Sequence, residues 1–464
     1  MDCIERLKTE LPVSALRTPE ARYLEEPRGR WVGQALAVIA PATTGEVATV
    51  LRIANETRTP VIPYGGGTGL VGGQIMDDGA PPILVSLERM AAIRALDAQA
   101  GTMVVEAGAI LQNVHSAAEA EGWIFPLTLA SQGSARMGGL LATNAGGVNV
   151  LRYGNTRDLV LGIEAVLADG TVIAGLSPLR KNNMGYDLRH LLIGSEGTLG
   201  IITAASLRLF PMPSARGAAL MAVPTPAAAL ALLRLAQARI GEGISAFEMM
   251  GKMGFDFLDE VGPSYRMPLA VVPDWTVLID LGLAHGRPED ALEGLFSDAY
   301  EAGLVTDGVI AQSEAQRADF WAIRENIPEA NRRIGAVSSH DIAVPVASIP
   351  DFIARAPALL AKINTFRINC FGHLGDGNLH YNVFPMPGRS RADHAAERDA
   401  IKTCVHDLVH QMGGSVSAEH GIGRLKIGDL ETYGDPGKLH AMRAIKAALD
   451  PNGILNPGAV LRAV

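Results

Sequence analysis

Three imidazoles and a carboxylate in the last quarter of the chain have the types and spacing for chemistry. His373-Leu374-Gly375-Asp376-Gly377-Asn378-Leu379-His380 sets two histidines on either side of a Gly-Asp-Gly-Asn bend. A tight bend between apolar runs can bring both rings to one side. The two-residue period of a strand then puts Asn382 on the face of His380. Glu419-His420-Gly421 supplies a carboxylate and a third imidazole. Two histidines and a glutamate form a three-ligand set that leaves coordination positions open, as catalytic zinc sites do. Histidines beside a turn are as often solvated, and Glu-His pairs are common on surfaces, so the spacing leaves both readings open.

The second chemical signal is glycine, at 51 of 464 residues. Only glycine lets a main chain approach a ligand or another main chain so closely. Gly65-Gly66-Gly67-Thr68-Gly69-Leu70-Val71-Gly72-Gly73 follows an apolar run at Pro60–Pro63. Gly67 to Gly72 matches G-x-G-x-x-G, with Glu88 beyond it. A nicotinamide fingerprint, however, needs a helix opening at its third glycine. The continuation, Gln74-Ile75-Met76-Asp77-Asp78-Gly79-Ala80-Pro81-Pro82, is no helix. A nest of backbone N–H groups around a phosphate fits better. Two further clusters, Gly133–Gly147 and Gly194–Ile202, suit a long, multi-part ligand such as a dinucleotide.

These loops need elements to hold them. Residues 36–66 read as strand, helix, strand, with Thr44 capping a helix through Asn55. Strand-like runs follow at Ile83–Ser86, Met103–Ala107, Ile163–Leu167 and Val172–Ala174, the last two joined by an Asp169-Gly170 hairpin turn. Pro211-Met212-Pro213 marks a break, and Thr225-Pro226 then opens an Ala/Leu helix. The organisation expected is a first domain at 1–213, a second at 214–415 and a terminal segment at 416–464.

The totals exclude other classes. Forty basic against 49 acidic residues give −9, with no basic block for nucleic acid. Three scattered cysteines, Cys3, Cys370 and Cys404, make neither a disulfide framework nor a zinc ribbon. The longest charge-free stretch, Gly217–Leu233, is broken by Pro224 and Pro226, so no transmembrane segment is expected. The opening MDCIERLKTELP lacks the apolar region of a signal peptide, and a cytoplasmic location is expected.

Six segments in order, PYGGGTGLVGG (63–73), GGLLATNAGG (138–147), GSEGTLGIIT (194–203), FGHLGDGNLHYNV (371–383), EHGIGRLK (419–426) and LDPNGILNPG (449–458), resemble flavoproteins of the vanillyl-alcohol-oxidase/p-cresol-methylhydroxylase fold. Within that fold they are most similar to FAD-dependent D-2-hydroxyacid dehydrogenases of the D-2-hydroxyglutarate, D-lactate and glycolate type. The resemblance covers the chain from about Ala35 to Val460. It implies an α+β architecture with a two-part p-cresol-methylhydroxylase-type FAD-binding domain. An α/β substrate or cap domain with an antiparallel sheet would follow, and a C-terminal helical segment would return to the flavin.

The flavin site it implies comprises Pro63, Gly65, Gly66, Gly67, Thr68, Gly69, Leu70, Gly73, Pro126, Ser134, Gly138, Gly139, Thr143, Asn144, Gly146, Gly147, Glu196, Gly197, Ile202 and Asn456. His373, His380 and Glu419 would be metal ligands, for Zn²⁺ first and Mn²⁺ second. His420 would be the base, Asn382 a hydrogen-bonding group at the substrate or a ligand, and Arg324 of Trp321-Ala322-Ile323-Arg324-Glu325 the cation for the substrate carboxylate. Members handling 2-hydroxyglutarate tend to carry lysine and threonine where Ser339 and Pro328 stand, which favours a shorter or more apolar acid unless His340 replaces the lost cation. Expected partners are the 2-hydroxy acid, an acceptor such as an electron-transferring flavoprotein or quinone, and a second copy in a homodimer. The alternatives are a glycolate- or D-lactate-oxidase-type subunit or an O₂-using oxidase, a non-redox ether-lipid-forming member, and a flavin-free zinc hydrolase. Some members tether FAD through a histidine beside the first glycine loop. Gly69 and Leu70 stand there, so acid precipitation is expected to leave the yellow colour in the supernatant and a colourless pellet.

Overall fold

A computed structural model describes residues 2–463; residues 1 and 464, the outer ends of the expected first and last segments, lie outside the described residues. The chain forms two units. Unit 1 gathers residues up to 147, 153–212 and 419 onward, and unit 2 gathers 148–152 and 213–418.

Unit 1 is built on two sheets. In the first, Leu16–Arg17 pairs antiparallel with Ala37–Ile39, and Ile83–Ser86 lies parallel between Ala37–Ile39 and Val61–Tyr64. The apolar run ILVS is buried at every residue, as a central parallel strand requires. The helix Thr44–Thr57 packs Val47, Val50, Leu51, Ile53 and Ala54 into this core. Its cap is Thr43, not Thr44. Thr43 is extended, and its hydroxyl accepts the Glu46 N–H, whereas Thr44 donates to Glu164 at 2.6 Å. Adjacent hydroxyls compete for a cap, and a tertiary carboxylate decides which one takes it.

The second sheet is antiparallel, in the order Ile93–Asp97, Thr102–Glu106, Ile201–Arg208, Val160–Val166, Val172–Gly175. Its last two strands are the hairpin turned at Asp169-Gly170, where Gly170 takes φ +88°. The C-terminal helices Ile427–Tyr433 and Pro436–Leu449 belong to this unit, and beyond them Leu455 pairs parallel with Val61.

Unit 2 is one seven-stranded antiparallel sheet in the order Asp307–Ile310, Ala215–Val223, Trp275–Leu283, Ile244–Gly251, Arg367–His373, Asn378–Phe384, Ser338–Ala343. Helices Lys252–Val261 and Glu314–Ile334 cover one face through Phe255, Phe257, Phe320, Ile323 and Ile327. On the other face Tyr381 meets Phe352 of helix Ile349–Leu360. Thr225 caps Pro226–Ile240, with Pro226 in the first turn.

The C-terminal return is pinned by one buried carboxylate. Asp450 accepts the N–H of Ile454 and Leu455 and pairs with Lys446 at 2.5 Å, and Lys446 also donates to the carbonyls of Thr198 and Leu455. Asp450→Ala leaves a part-buried ammonium without its counter-charge and the amides of Ile454 and Leu455 without their acceptor, and is expected to cost about 1–3 kcal/mol, read as a lowered chemical-denaturation midpoint.

Candidate active site

The glycine clusters of unit 1 meet through their backbones. A Cβ on Gly66 would stand 2.2 Å from the Ser134 carbonyl oxygen, and one on Gly65 would stand 3.3 Å from Gly139. Gly138 backs onto Ala107, and Gly147 onto the Thr128 carbonyl at 2.3 Å. Gly197, at φ +70°, packs against the ring of Pro63, which ties the third cluster to the strand that launches the first. Among the described residues, the amides of Gly65, Gly66, Gly67, Thr68, Gly69 and Leu70 meet no hydrogen-bond acceptor. Successive open amides on a backbone that no side chain can obstruct have the chemistry to receive a pyrophosphate. The cradle fits FAD.

Other expected flavin residues hold this cradle together. Thr143 donates to the Gly139 carbonyl, and Asn144, at φ +48°, accepts the Arg157 N–H. Gly146, Pro126 and Ile202 are buried within the unit. Asn456 donates to the carbonyls of Gly73 and Glu196 and accepts from Arg424, so its side-chain amide joins three segments of the protein. Glu196, in the left-handed region at φ +53°, accepts the N–H of Ile422 at 2.7 Å and of Gly423 at 2.8 Å. Burial pushes its carboxyl above the ordinary range, against the pull of those two amides and of Lys426 and Arg424. It thereby fixes the loop that follows His420.

In unit 2 the polar residues collect on the helix-covered face of the sheet. His373 and His380 end one strand and enter the next, with ring centroids 5.6 Å apart and planes at 79°. Asn382 follows His380 on that face, and its amide makes no hydrogen bond among the described residues. Asp341, paired across from His380, has its carboxylate 4.0 Å from His380 Nδ1 and accepts from Asn378. Ala418, the last residue of unit 2, donates its N–H to the Asp341 carbonyl, so the peptide leading to Glu419 and His420 starts from that edge strand.

Arg324 is buried on the helix Glu314–Ile334, over the Phe371 ring at 4.7 Å, with its Nε donating to Glu248 at 2.7 Å. Its two terminal nitrogens make no hydrogen bond among the described residues. Pro328, one turn on, removes the amide that would close on the Arg324 carbonyl and sits on the helix's exposed side. Ser339 is exposed on the same sheet face as Asn382. His340 points the other way, buried against His406 at 5.2 Å, and so does not replace a cation beside Arg324.

Asp341 and Glu248 are buried acids of this sheet that no sequence motif marks. A glutamate alone in the middle of the apolar strand ISAFEMMG was the available signal, since such a position is costly for a charge without partners. Burial would raise the Glu248 carboxyl, but the charges of and hydrogen bonds from His373 and Arg324 outweigh it and hold it at about 2.

The chain is similar to known proteins over most of its length. Residues 35–175 match the FAD binding domain family, and residues 212–460 match the family of FAD linked oxidases, C-terminal domain. A D-2-hydroxyglutarate dehydrogenase of Xanthomonas citri pv. viticola is 37% identical over 97% of this chain and 95% of its own. The mitochondrial D-2-hydroxyglutarate dehydrogenase of Bos taurus is 38% identical over 98% of this chain and 82% of its own. A crystal structure of p-cresol methylhydroxylase with substrate bound superposes with a TM-score of 0.73 at 15% identity, covering 99% of this chain and 96% of that one. The fold is that of the p-cresol-methylhydroxylase-type flavoproteins, with an FAD-binding and a substrate-binding domain. The chain belongs to the FAD-linked oxidases, in the family of the D-2-hydroxyglutarate dehydrogenases, and is an FAD-dependent oxidoreductase. The flavin-free hydrolase reading falls with that membership. Among the described residues no helix is long and apolar enough to cross a membrane.

Gly66→Ala forces apart the two loops that touch at Ser134. The expected result is purified protein with well under half the wild-type flavin per chain, measured by absorbance after denaturation.

Proposed function

We propose that this enzyme oxidises a D-2-hydroxy acid to the 2-oxo acid, with non-covalent FAD and a divalent cation. The observation that supports this most is the polar face of unit 2. There a buried arginine with two uncommitted terminal nitrogens shares one sheet surface with a histidine pair and an unpartnered asparagine. Arginine is suited to a carboxylate because its planar fork matches two oxygens.

FAD, when bound, would supply the two-electron acceptor for the hydride that leaves C2. A divalent cation, Zn²⁺ first and Mn²⁺ second, supplies Lewis acidity that lowers the pKa of the substrate hydroxyl. His373, His380 and Glu419 are the residues that would hold the cation. Their set of two imidazoles and one carboxylate suits either metal and leaves positions for substrate oxygens. Arg324 binds the substrate carboxylate, and Asn382 orients the substrate or a ligand through its amide. His420 takes the hydroxyl proton on an imidazole nitrogen as C2 loses its hydride, which balances the oxidation.

The 37–38% identical relatives named for D-2-hydroxyglutarate support a dicarboxylate substrate. Ser339 and Pro328, one helical turn from Arg324, support a shorter acid such as lactate. The acceptor we propose is an electron-transferring flavoprotein or a quinone, and the assembly a homodimer.

A panel of D-2-hydroxy acids with an artificial dye, with and without oxygen, tests the reading. Dye reduction by D-2-hydroxyglutarate or D-lactate without peroxide is expected. Turnover that requires oxygen and yields peroxide would make the enzyme an oxidase instead. His420→Ala is expected to keep its flavin and lose at least 10²-fold in the rate of anaerobic flavin bleaching. His380→Ala is expected to lose its bound metal on dialysis. Normal bleaching in the first variant, or unchanged metal content in the second, removes that residue from its role.

A further inference from the structure

We infer that Glu248 is a positioning residue that sets both the substrate-binding arginine and a metal-ligating histidine. It rests on the reading above for the roles of Arg324 and His373. The geometry stands without that reading. Glu248 sits in the centre of a strand buried at all eight residues, and it is itself fully buried. Each carboxylate oxygen meets a different functional group. Oε2 accepts from Arg324 Nε at 2.7 Å, and Oε1 meets His373 Nδ1 at 2.6 Å.

The two contacts have separate chemical consequences. An ionised carboxylate has no hydrogen to donate, so when His373 is neutral, the form a metal requires, its proton is held on Nδ1 and the lone pair is left on Nε2. On the other side, grip at Nε fixes the guanidinium plane and keeps both terminal nitrogens for a carboxylate. Phe371 beneath the guanidinium limits its remaining tilt. His373 and Glu248 are directly paired on neighbouring strands, so the contact is built into the register of the sheet.

A residue serving packing alone would be replaceable by the apolar types around it, Phe247, Met249 and Met250. The carboxylate instead unites the two recognition groups, one for the cation and one for the substrate's anionic end.

The test uses the full-length flavoprotein stripped of metal. Glu248→Gln keeps the shape but cannot accept from both partners as an anion. Its Zn²⁺ dissociation constant, by competition with a chromophoric chelator, is expected to rise 10- to 100-fold. In the metal-free protein, the dissociation constants of pyruvate and 2-oxoglutarate, from perturbation of the flavin spectrum, are expected to rise about tenfold or more. Flavin content and circular dichroism are expected to match wild type, which a collapse of packing would not allow. Glu248→Asp keeps the charge, and with one methylene less it can reach only one partner. It is expected to retain one affinity and lose the other, and it carries the test if the glutamine variant does not fold. Wild-type Zn²⁺ and oxo-acid affinities in both variants would overturn the inference. Failure of the underlying reading looks different: wild type would take up no Zn²⁺, or His373→Ala and Arg324→Met would change neither affinity.

Discussion

Unit 1 depends on one carboxylate accepting two backbone amides. Glu196 stands in the left-handed region at the third glycine cluster and receives the N–H of Ile422 and Gly423. No side chain could follow it there, because a Cβ on Gly421 would lie 2.7 Å from its Oε1, and one on Gly423 would lie 2.2 Å from the Val71 carbonyl. Arg424 then reaches the carbonyls of Gly72, Gly73 and Pro457. A single ionic hub thus links the first and third glycine clusters, the loop after His420 and the C-terminal turn. Charge-assisted bonds to backbone are about twice as strong as neutral ones, and here they hold segments distant in sequence.

Unit 2 solves a different problem, the burial of charge inside a sheet. The helix Glu314–Ile334 lays a polar stripe along its inner side. Arg317 and Trp321 meet Asp280, Arg324 meets Glu248, and Asn331 meets Asn369. The spacing follows the helical repeat: Arg317, Trp321 and Arg324 donate to the sheet from successive turns, and Asn331 accepts from Asn369 farther along. Buried pairs of this kind add little net stability, yet losing one partner costs about 3–5 kcal/mol. They orient more than they stabilise, which suits a surface that has to present an arginine in one direction.

Much of this was legible in the order of residue types, for identifiable reasons. Positive φ and sub-contact distances restrict Gly66, Gly147 and Gly197 to glycine, so the loops show as composition. The strand period placed Asn382 beside His380 without any structure. What could not be read was partner choice. Thr43 and Thr44 are equivalent as caps until Glu164 claims one of them. Asn456 closes the motif LDPNGILNPG, and its side-chain amide serves Gly73, Glu196 and Arg424. Glu248 is a lone acid in an apolar strand, and only tertiary pairing reveals what it holds. His340 failed as a substitute cation because adjacent strand residues face opposite sides, a rule its sequence position already contained.

The pairing of Leu455 with Val61 has a consequence for how the protein is made. These residues are separated by almost the whole chain, and the Asn456 amide closes on the same strand. A ribosome therefore releases the first sheet of unit 1 and completes all of unit 2 before the Leu455 bridge to that sheet emerges. Unit 2, whose residues 148–152 and 213–418 all precede Glu419, can fold during translation, while unit 1 still lacks its C-terminal segment. Synthesis in the cell would thus leave the flavin cradle as the last element to close, and premature termination shortly before Leu455 would yield a folded unit 2 on an incomplete unit 1.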